Sequence, residues 1–305
     1  MGMPFPHTGS PAGSFAPSVP LRLLLFLAWL PCLPLQGQTL YGGLQFGSAN
    51  YQGELKDHYL TFRGTKPAFG AGLHYASNER LAFSAEFLKG RLEGHDRYNS
   101  FYYTRRRNLH FETDVLDLSL QARLNLNVSP GLPVIPYLST GLAVFHVDPY
   151  TFDGQGARVY LYPLSTEGQG LSAYPDRPLD RRTRVSIPMT GGVELRLTRN
   201  LRADMELSIR RTFTDRIDDV SGTYPDGYLL LRERGPIAHA LSYRADELPG
   251  EEPSFPAAGT PRGNPATNDW YYFMGLRLRH TILTREYRYD HIRQIIHPRG
   301  WPYRW

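Results

Sequence analysis

A chain of 305 residues is long enough for one large barrel or two small domains. Its formal charge is only +5 with 21% charged residues, too small an excess to call for nucleic acid, and no recognisable nucleic-acid module is present. A single cysteine, Cys32, excludes an intramolecular disulfide, while 20 Tyr and 4 Trp suit strand positions and interfacial belts, although sandwiches are also rich in Tyr.

The one continuous apolar run covers residues 21–35 and is too short, and too broken by Pro31 and Pro34, to span a bilayer as a helix. With Arg22 ahead of it and a tolerable cleavage site at Leu35, Gln36 and Gly37, it reads as a signal peptide over residues 1–37. Processing would then remove Cys32. Lipoprotein cleavage at Cys32 is the competing reading, disfavoured because Pro31 stands where a small residue is preferred.

Beyond the leader, a first strand is predicted over residues 40–48, with Leu40, Leu44 and Phe46 on one face and glycines at 42, 43 and 47. Phe69, Ala71, Leu73 and Tyr75 make a second. Ser77, Asn78 and Glu79 turn it into a third through Leu81, Phe83, Ala85 and Phe87. A loop over residues 90–107 precedes the cleanest alternation in the sequence, Leu116, Leu118, Leu120, Ala122, Leu124 and Leu126 against Asp117, Ser119, Gln121, Arg123 and Asn125. Residues 135–147 form the fifth strand, interrupted at Gly141. After a loop over 148–182, a hairpin over 185–210 places apolar residues at odd positions in both arms, across Thr198, Arg199 and Asn200. A longer loop over 214–268 leads to the eighth strand, with Trp270, Tyr272, Met274, Leu276 and Leu278 against Tyr271, Gly275, Arg277 and Arg279.

Such strands could pack as a sandwich. Two features favour a closed barrel instead: strands about 9 to 11 residues long with charges along the whole polar face, and connections that alternate long and short. That rhythm is the one of an eight-stranded antiparallel transmembrane β-barrel of an outer membrane, all-β, with long external loops and short periplasmic turns. The barrel is expected over residues 38–283, with a periplasmic tail over 284–305. Short strand-like runs at 159–162 and 228–231 leave ten strands as an alternative, or mark external strand extensions.

In eight strands the lumen is about filled by side chains, so Glu194, Arg196, Arg202, Asp204, Glu206, Arg210, Arg277 and Arg279 are expected to neutralise one another as ion pairs; an ion path is the alternative. Arg105, Arg106 and Arg107 are placed either at the level of outer lipid phosphates or at a solvated strand end. Asp215, Asp218 and Asp219 form the best carboxylate cluster. Calcium binding, or hydrolysis with His239, competes there with carboxylates that bond loop amides, the reading the sequence favours. Gly168, Gln169 and Gly170 follow no strand and open no helix, which excludes a phosphate loop. No catalytic residue, cofactor or metal ligand is assigned, and no enzymatic activity is expected.

Three blocks add a resemblance: Arg107, Asn108, Leu109, His110, Phe111, Glu112, Thr113 and Asp114; YPLSTEGQG at 162–170; and RRTFTDRIDDVSGTYPD at 210–226. With PYLSTGLAVFHVDP at 136–149, they resemble the PorG-like outer-membrane barrel family of Bacteroidetes. The sequence departs from that pattern in its leader, in a Pro-rich insert at 249–265, and at Ser165, where glycine is expected. The resemblance implies a non-enzymatic structural component of the type IX protein secretion system, the export route coupled to gliding motility. Besides outer-membrane lipid, its implied partners are a periplasmic ring lipoprotein and that lipoprotein's own partner.

Overall fold

The computed structural model describes residues 38–56, 61–127, 133–250 and 254–285. The expected leader at 1–37, and all but the first two residues of the expected tail, lie outside the described residues. In chain order the strands are β1 (Gln38–Gln52), β2 (Lys66–Ala76), β3 (Leu81–His95), β4 (His110–Asn125), β5 (Val134–Val147), β6 (Tyr150–Phe152), β7 (Arg158–Tyr160), β8 (Thr183–Arg196), β9 (Leu201–Thr212) and β10 (Trp270–Arg285).

Eight of these form the wall: β1 to β5 and β8 to β10, each antiparallel to its neighbours. Closure comes from β3, which pairs with both β2 and β4, so the wall has no free edge. The register places residues of like character side by side. Phe87 lies opposite Leu118, Leu118 opposite Val144, and Val193 opposite Met205, which in turn faces Leu276. These residues point outward: Leu118 is 59% exposed and Met205 57%, and Leu44, Phe46, Leu73, Leu138, Leu142 and Leu276 are exposed with them. On β4 and the residue after it the outward apolar set runs from Leu116 to Leu126. At about 3.3 Å per residue and a tilt near 40°, that is about 25 Å, the height of an outer-membrane hydrocarbon belt. The wall is a transmembrane barrel in the outer membrane.

At one point two wall strands approach through paired glycines. Gly47 on β1 faces Gly275 on β10, and a Cβ on Gly47 would lie 2.6 Å from the Gly275 Cα. A Cβ at either position would run into the backbone of the other strand.

The wall strands extend further than the sequence pattern implies. β3 runs to His95 and β4 begins at His110, so most of the expected 90–107 loop is strand or short helix. The strand-like run at 159–162 lies partly in β7, a short strand that pairs only with β6, and β6 bridges Glu112 to Tyr150 on the β4 extension. The run at 228–231 is not strand. It belongs to a helix, Gly227–Arg234, because Asp226 accepts the Leu229 N–H at its N-cap. The described residues therefore hold ten strands, but only eight of them cross the membrane.

Candidate functional site

Three charged layers fill the barrel from its short-turn end upward. Nearest the short turns, Glu194 and Asp204 stand directly opposite each other on β8 and β9, an arrangement of like charges that is unfavourable alone. Arginines supply the counter-charge. Arg279 donates to Asp204 at 2.6 Å and to Glu194 at 2.6 Å, while Arg123 donates to the same two carboxylates at 3.0 and 2.6 Å and stacks on Tyr137. Arg202 adds a further bond to Glu194. One layer up, a single nitrogen of Arg277 reaches Glu86 at 2.8 Å and Glu206 at 2.7 Å, and Tyr137 and Gln45 also donate to Glu206. Above it Arg210 forms a fully buried pair with Asp117, which accepts from Tyr271 as well. Ion pairing in the lumen is as the sequence implies, with two changes. Glu86, Asp117 and Arg123 belong to it, whereas Arg196 sits at the exposed rim.

The outer third is apolar, which the sequence pattern does not anticipate. Leu88, Leu92, Phe111, Val115, Phe145, Val147, Tyr271 and Phe273 point inward there, and Leu161, Ile217 and Val220 descend onto them from the long loops. Those loops make an ordered cap. It contains the helices α1 (Tyr102–Arg107), α2 (Gly227–Arg234) and α3 (Pro236–Ser242).

Glu167 is the tie point of the cap. Only 1% exposed, it accepts the N–H groups of Ser221 and Gly222 at 2.9 and 3.1 Å, and pairs with Arg262 at 3.0 Å and Arg216 at 3.2 Å. Burial alone would raise its pKa, but those two guanidiniums and two amides hold it below the ordinary carboxylate range. Thr166 beside it donates to Asp219 at 2.5 Å, and Tyr162 donates to the Arg216 carbonyl at 2.5 Å. Arg107 forms a bidentate pair with Asp96, both bonds 2.7 Å, and reaches the Arg262 carbonyl. The three blocks at 107–114, 162–170 and 210–226 thus meet in the cap. Ser165, where glycine is expected, has φ 52°, in the left-handed region that glycine adopts without strain.

Neither sequence reading of Arg105 to Arg107 survives whole. Arg107 is buried and paired inside the cap, and all three residues belong to α1, far beyond the lipid phosphates. Nor do Asp215, Asp218 and Asp219 converge. Asp215 accepts from Ser221, Asp219 from Thr166, and Asp218 from Tyr51 and the Val220 N–H, while His239 stacks on Phe255. Asp218 instead meets Glu54 and Asp269, neither singled out in the sequence, with a carboxylate oxygen from each within 4.8 Å of the others.

The Tyr51 hydroxyl touches Asp218 at 2.5 Å and Asp269 at 3.1 Å. A phenol has one proton to donate, so satisfying both contacts requires a protonated carboxyl that donates back. Burial and the mutual repulsion of the carboxylates raise Asp218 and Asp269, and burial brings Glu54 up to about 7. Burial likewise carries Asp219 to about 8 despite Arg262. Three carboxylates are few for calcium, which takes about six to eight oxygens; shared protons satisfy the triad as it stands.

A pH dependence follows. The closed cap holds protons that the open chain has released by about pH 5, so this part of its stability is complete at low pH and drains as pH rises through about 7 to 8. Glu167 has the opposite sign, contributing above the ordinary carboxylate range and losing that contribution as pH falls. Protection of the Ile217, Val220 and Ser221 amides, read by hydrogen exchange corrected for base catalysis, is expected to peak near about pH 5. Between that point and about pH 8 it should fall by at least one order of magnitude, as the raised carboxyls give up their protons. Flat protection across that range would remove the shared-proton account.

Among solved structures, the chain is similar to Neisserial surface protein A (NspA), with 11% identity, TM-score 0.41, and 81% of this chain and 99% of that one covered. It is also similar to Ail, the attachment invasion locus protein of Yersinia pestis, in complex with the heparin analogue sucrose octasulfate, at 9% identity, TM-score 0.38, and 81% and 100% coverage. A third is the N-terminal β-barrel domain of Pseudomonas aeruginosa OprF, at 12% identity, TM-score 0.33, and 80% and 99% coverage. No functionally curated protein matches the sequence. A family model described as a domain of unknown function, DUF6089, matches residues 21–232, from ahead of the first wall strand through the cap blocks, and the chain belongs to that family.

Proposed function

We propose that this protein is a structural, non-enzymatic barrel of a type IX protein secretion machine, one that holds the periplasmic ring lipoprotein and its partner at the outer membrane. The observation that carries the structural part is the filled interior: layered ion pairs, then an apolar core, then a tied cap, along the whole height of the wall. A barrel so filled serves by holding position rather than by passing solutes. Support for the secretion part is the resemblance of the blocks at 107–114, 162–170 and 210–226, which the fold assembles into one cap. Ring contacts are assigned to the surfaces that face the periplasm, namely the short turns at 77–80 and 197–200 and the tail at 284–305.

Deleting the gene is expected to leave type IX cargo in the periplasm, and pull-down of the tagged barrel from detergent extract should recover ring proteins. Normal secretion in the deletion strain would overturn the proposal. A second reading, a small barrel whose external loops bind surface molecules, is favoured by the exposed aromatic residues of the β1–β2 and β3–β4 loops.

A further inference from the structure

The cap carries a ridge of a different character from the rest of the surface. Phe62 is 74% exposed, Phe101 69% and Tyr103 85%, with Tyr98 and Tyr102 also exposed. Arg63 and Arg97, from two different loops, both stand over the Tyr98 ring, at 4.9 and 4.5 Å from its centroid, and Arg105 is exposed on α1. The ridge is held in shape. Asn99 accepts the Phe101 N–H and donates to the Glu54 carbonyl of the neighbouring loop, and Tyr102 packs edge-on against Tyr103. Two guanidiniums on one ring repel each other, and among the described residues no carboxylate pairs with Arg63, Arg97 or Arg105. No acid occurs from Arg97 to Leu109 or from Thr61 to Thr65. Among the described residues the nearby acids face elsewhere: Asp96 to Arg107, Glu93 to Lys66, and Glu54 to the carboxylate triad.

Exposed aromatic rings are ordinary where lipid covers them, but these stand above it. The outward apolar set on β3 ends at Phe87, followed by exposed Lys89, and eight residues separate Phe87 from His95 at the base of the ridge. Eight residues of tilted strand rise about 20 Å, whereas headgroups extend only about 5 to 8 Å beyond the hydrocarbon. Lipid phosphate therefore cannot reach the ridge. A polymer that occupies this height and combines apolar C–H ring faces with fixed negative charge satisfies both residue types: its rings stack on tyrosine and phenylalanine, and its acid groups take bidentate bonds from arginine.

We propose that this ridge binds an acidic polysaccharide at the cell surface, with Arg63, Arg97 and Arg105 taking the anionic groups and Phe101, Tyr102 and Tyr103 the sugar rings. The test uses the full chain in lipid nanodiscs over immobilised polygalacturonate, with neutral dextran and single-stranded oligo(dT) as comparison probes at low ionic strength. Binding is expected to polygalacturonate and not to dextran. It should weaken about tenfold or more in the R63Q/R97Q double variant and, through lost stacking, in Tyr102→Ala/Tyr103→Ala, while Arg232→Gln on α2 leaves it unchanged. All these side chains lie on the outside of the cap, and heat-modifiable gel mobility confirms that each variant is folded. Equal affinity of parent and both double variants, absence of binding, or tighter binding of oligo(dT) than of polygalacturonate would overturn the proposal.

Discussion

Replacing Arg277 with methionine is expected to destabilise the barrel by about 3 to 5 kcal/mol, the cost of leaving buried charge without its partner. Methionine conserves much of the arginine's volume, so the effect is electrostatic rather than a cavity. Among the described residues Arg277 is the only arginine or lysine that pairs with Glu86 and Glu206, and both carboxylates are buried. Without it they would face each other across the lumen, with Gln121, Gln45 and Tyr137 as the remaining donors. The remedy is specific. Adding Glu86→Gln and Glu206→Gln removes both charges and is expected to return most of the lost stability, because amide side chains can bond one another in the same layer. Urea unfolding in detergent micelles, followed by tryptophan emission, measures both effects. If the single variant unfolded at the parental midpoint, the Arg277 layer would not be what neutralises the lumen.

The eight wall strands were legible because a lipid belt imposes one rule along about ten residues of each strand: apolar outward, polar inward. What was not legible follows from the same rule. At the outer membrane surface the rule reverses, since solvent then lies outside and the loop-covered core inside. On β3 the apolar residues are odd through Phe87 and even from Leu88 to Leu92; on β4 they are odd at Phe111 and Val115 and even from Leu116 onward. A period-two pattern that changes phase reads as a strand end, so in sequence the extensions beyond the membrane look like loop. In the cap the obstacle was different. Glu54, Asp218 and Asp269 come from loops 164 and 51 residues apart, and no local spacing marks them as one group. Arg262, which joins Glu167 to the Ser242 and Asp219 carbonyls, lies in a Pro-rich stretch that looks like an insert. The Glu167 to Asp219 contacts left one trace in sequence, the paired blocks at 162–170 and 210–226, whose shared role was visible only once the fold joined them.

Wall and cap therefore answer to different rules, and a change in one need not disturb the other. Glu167→Ala is the sharpest case. It would leave two buried amides, those of Ser221 and Gly222, without acceptors and free Arg262 and Arg216 of their common counter-charge. Each orphaned amide costs about 1 to 3 kcal/mol and the broken buried pair about 3 to 5, which is more than a loop assembly can be expected to withstand. The cap should open while the wall stays closed, since none of the wall's ladder bonds involves Glu167. Trypsin added to cells or nanodiscs would then cut after Arg216 and Arg262, which the parent protects, while heat-modifiable mobility of the barrel persists. Glu167→Gln keeps an acceptor oxygen but loses the charge, and should give an intermediate rate of cleavage. If the alanine variant resisted trypsin as the parent does, the cap would be held by its apolar contacts with Ile217, Val220 and Leu161, and the buried carboxylate would be incidental to it.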